Sequence, residues 1–172
     1  MSELNLKKYV ENFQKGDLSL FDEFYEQVKQ KVFYNIFALT KNYELSEDLL
    51  QDTFVKFLNN INDIDPNDSV LGYLMVCSRN LTLDYFKKNN RVRQLDETVD
   101  HPSSVDEDDI DKNIILGKIK EILKPKEFEI FTLHVLSELT FEEISKLQKR
   151  PIGTITWAYN NAIKKLKGGM AL

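Results

Sequence analysis

The chain has 172 residues, of which 42% are hydrophobic and 11% aromatic, enough for one ordinary domain or two small ones and too much for wholesale disorder. Charged residues make up 30% and sum to −5, six glycines and four prolines exclude a collagen-like or low-complexity chain, and no apolar run approaches the ~18–20 residues of a bilayer span. A single cysteine, Cys77, excludes an internal disulfide. With an amino terminus lacking the charged-then-apolar layout of a secretory signal, it sets the expectation of a soluble, cytoplasmic protein without membrane insertion.

From about Leu4 to Asn90 the pattern is helical almost throughout. Leu20, Phe21, Phe24, Tyr25, Val28, Val32, Ile36 and Leu39 form one apolar stripe. Ser46, followed by Glu47 and Asp48, predicts the N-cap of the next helix. That helix carries Leu50, Phe54, Phe57, Leu58 and Ile61 on one side and Asp48, Asp52, Val55 and Asn59 on the other. Residues 59–69 (NNINDIDPNDS) predict a loop, after which Val70, Leu74, Cys77, Leu81 and Tyr85 mark a further helix. Cys77 is expected to be a small core residue.

Between Asp96 and Asp111 stand eight acids and no Lys or Arg, which leaves the rest of the chain at +3. Residues 94–109, poor in apolar side chains, predict a flexible acidic linker. Helix then resumes over Ile110–Leu123, Pro125 opens another, and Thr140-Phe-Glu-Glu143 has capping-box spacing for a short helix to about Leu147. A turn at Lys149-Arg150 leads into a last helix, Ile152–Leu166. No alternating strand pattern stands out. The expected fold is all-α, with two small helical domains joined by the linker.

Little points to an enzyme: no glycine-rich phosphate loop, CxxC or HExxH occurs, and His101 and His134 stand alone. No catalytic residue, metal site or cofactor is expected. A short helix, a tight turn and a longer helix at the carboxy end match a helix-turn-helix, whose second helix enters the DNA major groove. Ile155, Tyr159, Ala162 and Leu166 would face inward; Thr154, Thr156, Trp157, Asn160 and Lys164 outward; Lys149 and Arg150 would meet phosphates. Further upstream, Tyr73, Tyr85 and Phe86 interleave with Arg79, Asn80, Lys87 and Lys88. This is either a stacking platform with backbone cations for unpaired bases, or core aromatics beside a solvated basic face.

Four segments in order resemble the bacterial RNA polymerase sigma factors of the extracytoplasmic-function (ECF) type, from about Tyr9 to Lys167. QKGDLSLFDEFYEQ is similar to the family's KGD opening, with Lys15, Gly16, Asp17 and Phe21 in place. SEDLLQDTFVKFL resembles its AEDLVQExF helix. GYLMVCSRNLTLDYFKKNNR resembles WLxxIAxNxxxDxxR, with Tyr73 for the usual Trp. TFEEISKLQKRPIGTITWAYNNAIKKL resembles the terminal helix-turn-helix.

The resemblance implies a transcription initiation factor that binds core RNA polymerase and recognises and melts promoter DNA. Residues 1–93 would be a region 2-like domain, 94–109 the linker and 110–172 a region 4-like domain. It assigns Asp48, Leu49, Gln51 and Asp52 to the clamp helices of the polymerase's largest subunit, and the second domain to the flap of the second-largest. Ile64, Asn67, Asp68, Ser69, Tyr73, Arg79, Asn80, Lys87, Lys88 and Arg91 would contact the −10 element. Lys149, Arg150, Thr154, Thr156, Trp157, Asn160 and Lys164 would contact the −35 element. An anti-sigma factor is a further implied partner.

The last helix departs from the family, which usually has Lys or Arg at several outward positions where this chain has Thr156, Ala158 and Asn161. The expectation is a −35 contact that is AT-rich, weak, or partly supplied by another protein. Two alternatives stay open at this point: a sigma-like decoy that binds polymerase without initiating, and an ordinary helix-turn-helix regulator.

Overall fold

A computed structural model describes residues 3–90 and 107–170. Arg91, His101 and the linker as far as Asp106 lie outside the described residues. Among them, eight α-helices and one 3-10 turn follow in order: α1 (Glu3–Gln14), α2 (Phe21–Thr40), α3 (Tyr43–Asn59), the 3-10 turn (Ile61–Asp63), α4 (Val70–Asn90), α5 (Glu107–Ile122), α6 (Pro125–Val135), α7 (Phe141–Gln148) and α8 (Ile152–Gly169). No described residue is in a strand.

The ends of these helices have local chemical causes. Gly16 closes α1 at φ +84°, where a side chain would be strained, and its N–H donates to Phe13 O (3.0 Å). The N-cap of α3 is Asn42, whose side chain accepts from Leu45 N–H at 3.0 Å. Ser46 is not the cap: it is buried within the helix, its hydroxyl donating to Asn42 O (2.6 Å). Helix propensity thus carries the segment a turn further back than the Ser-Glu-Asp signal suggests, because Asn caps as well as Ser. Ser69 Oγ accepts from Gly72 N–H at the start of α4. Helix α5 begins at Glu107, so Glu107–Asp109 belong to helix rather than to the linker. Pro125 takes the first position of α6, and Thr140 and Glu143 form the capping box of α7.

The sequence stripes become the interior. Phe24, Val28, Val32, Ile36, Phe57 and Leu74 are each fully enclosed. Phe24 stacks on Phe57 at 5.3 Å, with Phe54 edge-on to both. Leu20, placed on the stripe by spacing, is 41% exposed because it precedes the helix.

Helix α2 is buried on more than one side. Phe33, Phe37 and Ala38 lie off its predicted stripe yet are buried, Phe33 against Tyr43 of α3, and Phe37 and Ala38 because the second half packs directly on the first. Both apolar clusters among the described residues draw on both halves, the smaller joining Ala38 and Met75 to Ile130, Leu133, Ile144 and Ile155. Across this contact Phe37 meets Phe128 at 6.2 Å, Lys41 Nζ lies 5.4 Å from the Phe128 ring centre, and Ser137 Oγ donates to Lys31 O at 2.9 Å. Full burial of a side chain such as Phe128 contributes roughly 1.5–3 kcal/mol.

Candidate polymerase and nucleic-acid interfaces

Helix α3 has a core side and a polar side. Leu50, Phe54 and Phe57 point inward, while Glu47, Asp48, Gln51, Asp52 and Asn59 are exposed, with Val55 58% exposed among them. The polar side is therefore a rigid acidic strip with one apolar contact point. Leu49 does not belong to it. It is 5% exposed and sits in the main core, because position 49 precedes Leu50 and Thr53 on the flank that faces inward. Val55 is the exposed apolar residue of this strip.

The loop after α3 is braced from α1. Gln14 Nε2 donates to Ile61 O (2.9 Å), which also accepts the turn's own bond from Ile64 N–H, and to Ile64 O (2.7 Å). Ile64, expected at the DNA, is instead 6% exposed and anchors the loop in the core. Asn67, Asp68 and Ser69 are exposed. Asp65 Oδ1 accepts from Asn67 N–H at 2.9 Å, and Lys7 Nζ donates to Asn67 Oδ1 at 2.7 Å.

On α4, Tyr73, Asn80 and Lys87 recur every seven residues and share one face. Tyr73 is half-buried, its ring 6.2 Å from Phe57, while Asn80, Lys87 and Lys88 are exposed. Arg79 is turned elsewhere: its guanidinium donates to the Glu129 carboxylate on α6. Tyr85 and Phe86 are half-buried, in ring contact at 6.1 Å.

The carboxy-terminal pair α7–α8 is a helix-turn-helix. Lys149 closes α7 in the left-handed region at φ 54°, Arg150 N–H donates to Ser145 O, and Ser145 Oγ returns a bond to Arg150 O, locking the turn. Lys149 is exposed and Arg150 half-buried. Helix α8 buries Ile155, Ala158, Ala162 and Leu166 and exposes Thr154, Trp157, Asn160 and Lys164. Tyr159 and Phe141 enclose His134, whose Nδ1 lies 2.8 Å from Leu139 O, so this histidine is packed.

Of three positions expected to point outward, one is buried and two are half-buried. Ala158 is 7% exposed, because it lies three residues after Ile155 and four before Ala162, on the core face. Thr156 is half-buried, its hydroxyl donating to Ile152 O (2.9 Å). Asn161 Nδ2 donates to Glu127 Oε1 at 2.7 Å.

Glu127 is a joint between α6 and α8. Burial acts to raise its carboxyl, but the hydrogen bonds from Lys165, the Lys124 N–H and Asn161 prevail and hold it below the usual glutamate range. Burial also pushes the Cys77 thiol up, consistent with a core residue. Gln14, Glu127 and Glu129 were all missed from sequence; only Glu127 carried a signal, three residues after Lys124 in a capping position. Among the described residues no cluster of His, Cys, Asp and Glu is arranged to hold a metal, and no helix is long and apolar enough to cross a membrane.

Comparison with known proteins gives these surfaces a context. The Sigma-70 region 2 family model matches residues 24–92, which span α2–α4. The ECF RNA polymerase sigma factor SigW of Bacillus subtilis (strain 168) is 25% identical over 168 residues, covering 89% of this chain and 90% of SigW. SigM of the same organism is 29% identical over 133 residues, covering 73% and 80%. Among solved structures, the sigma factor RpoE in complex with the anti-sigma factor NepR, from Bartonella quintana, shares the fold with a TM-score of 0.66 at 20% identity, covering 88% of this chain and 97% of RpoE. CnrH in complex with the cytosolic domain of CnrY gives 0.65 at 15% identity, covering 95% of each. Residues 24–92 belong to the Sigma-70 region 2 family, and over nearly its whole length the chain is similar to ECF-type sigma factors, which supports a promoter-directing RNA polymerase sigma factor.

Proposed function

We propose that this chain is a cytoplasmic initiation factor with no active site of its own, in which three separate surfaces divide the work. The acidic strip of α3 (Asp48, Gln51, Asp52, with Val55) binds the clamp helices of core polymerase. The loop at Asn67–Ser69 and the α4 face bearing Tyr73, Asn80, Lys87 and Lys88 bind the opened −10 strand, aromatic and cationic groups serving bases and backbone respectively. Helix α8 meets the −35 duplex through Thr154, Trp157, Asn160 and Lys164, with Lys149 and Arg150 on phosphates. In domain terms, residues 1–93 act as region 2 and the helices from α5 onward as region 4, the latter also reaching the polymerase flap.

The observation that carries this reading is the acidic strip of α3. Four exposed groups on one rigid helix, backed by Leu50, Phe54 and Phe57, make a docking surface that an ordinary helix-turn-helix regulator has no use for. Arg79, also assigned to −10 DNA, is engaged by Glu129, so its use on DNA requires the two halves to part. The solved relatives RpoE and CnrH are complexes with NepR and CnrY respectively, and an anti-sigma partner is proposed for this chain on that likeness.

A binding assay with purified core polymerase tests the assignment. Charge reversal at Asp48 together with Gln51→Ala should lower core affinity at least tenfold with unchanged helicity. Unchanged affinity would remove α3 as the docking element.

A further inference from the structure

The outermost line of α8 runs Gly153, Trp157, Asn160, Lys164 and Lys167, spaced by four, three, four and three residues, directly opposite the buried Ile155, Ala158 and Ala162. Its amino-terminal part is apolar. Trp157 is 68% exposed, the largest exposure among the big hydrophobic residues, and Ile152 nearby is 47% exposed. Nothing lies within 4 Å of where a Gly153 side chain would begin, so the indole stands clear on that side. On the other side a shallow depression of about 330 Å³ opens between Trp157, Asn160, Ile163 and Lys164.

Trp157 and Ile152 together make an exposed apolar patch beside cations, and such patches rimmed by polar groups mark interaction sites. Its surroundings state what that something is. Helix α8 contains no acid; Lys149 and Arg150 precede it, and Lys164 and Lys167 close the stripe. Lys164 sits roughly 10 Å along the axis from Trp157, comparable to the ~12 Å width of the DNA major groove. Cations before Trp157 in the turn and after it on the stripe suit phosphates on the groove walls, and the exposed indole between them in sequence suits a groove floor. The one apolar group on that floor is the thymine C5-methyl.

We propose that Trp157 is a specificity-determining residue that reads a thymine methyl in the −35 element by apolar contact, with Asn160 beside it on the adjoining base edge. The proposal rests on the reading of α8 as the −35 helix. It makes sequence preference at that position depend on a methyl group rather than on a charged hydrogen bond.

The test uses the full chain reassembled with core polymerase on a promoter that it selects from genomic fragments. Each thymidine of the −35 region is replaced in turn by deoxyuridine, which removes the methyl and leaves the base pair intact. Wild-type holoenzyme should bind the critical uridine template about fourfold more weakly, the factor one buried methyl group is worth. Trp157→Ala should bind both templates equally, and Trp157→Phe should retain part of the ratio. A wild type indifferent to every replacement, while still starting at discrete promoters, overturns this inference and leaves the −35 assignment standing. A Trp157→Ala holoenzyme that keeps the fourfold ratio assigns the methyl to another residue and also overturns it. Failure to select any promoter overturns both.

Discussion

Arg79 on α4 and Glu129 on α6 form an ion pair between the two halves of the molecule, with only 18% and 13% of their side chains exposed. A charged hydrogen bond of this kind contributes about 1.5–3 kcal/mol, far more than an exposed pair. Like Phe37 on Phe128 and Lys41 over the Phe128 ring, it joins the first half to α6, so charge and apolar contacts hold one closed arrangement.

Glu129→Gln should therefore loosen the closed arrangement without unfolding either half. Fluorophores on Lys29 and Lys146, both on the surface, should report a longer mean distance, and small-angle scattering a larger radius of gyration. Identical distances in wild type and variant would show that the apolar contacts alone hold the halves together.

Leu49 and Asp48 are neighbours with opposite fates, and their variants should separate stability from docking. Leu49→Ala should lower stability by about 2–5 kcal/mol, as expected of an enclosed leucine. Asp48→Ala should leave the denaturation midpoint within about 0.5 kcal/mol of wild type and reduce core polymerase binding. Urea titration and a core-binding assay on both variants check this; equal stability losses would place Asp48 in a structural role.

Gln14 holds the 61–64 carbonyls through two bonds from one amide. Gln14→Ala should cost about 1–3 kcal/mol, because two carbonyls lose a partner inside a half-buried turn. It should also raise hydrogen exchange at 65–69 and slow promoter opening at permanganate-reactive thymines. Unchanged exchange there would show that Ile64 alone anchors the loop.

Glu127 makes the carboxy-terminal helices sensitive to acid. Its carboxyl is held below the ordinary glutamate value, so the folded state binds its proton less readily than the unfolded chain. The contribution is fully present above the unfolded value of about 4.3 and is lost as pH falls through the lower folded value. Glu127→Gln should destabilise the protein at pH 7 by about 1–3 kcal/mol and flatten its acid unfolding curve. Parallel acid curves for the two proteins would contradict this.

The elements that were legible in the sequence share a cause. Phe54 and Phe57, or Ile155 and Ala162, repeat at helical spacing, and a period needs no knowledge of the partner. What was illegible depended on the partner. Phe37 and Ala38 are buried against α6, which lies across α2, and no local pattern marks a second buried side. Ala158 followed the family's outward positions into a wrong expectation, although its spacing from Ile155 and Ala162 already argued for the core. Leu49 and Ile64 show the same limit: a motif names a segment that docks, while burial decides which of its side chains are available. Arg79 carried the right charge for nucleic acid, but its pairing with Glu129, fifty positions away, could be seen only in three dimensions.

The central claim, that this chain directs core polymerase to promoters through separate α3, α4 and α8 surfaces, is tested most directly by run-off transcription. Core polymerase would be given fragmented genomic DNA with and without the protein, and the new transcript starts sequenced. Discrete starts sharing an upstream pattern are expected, weakened by Asn80→Ala and abolished when Asp48 and Gln51 are replaced together. Binding to core without new starts would make the chain a decoy, and binding to duplex DNA without core would make it an ordinary regulator; either result contradicts the account.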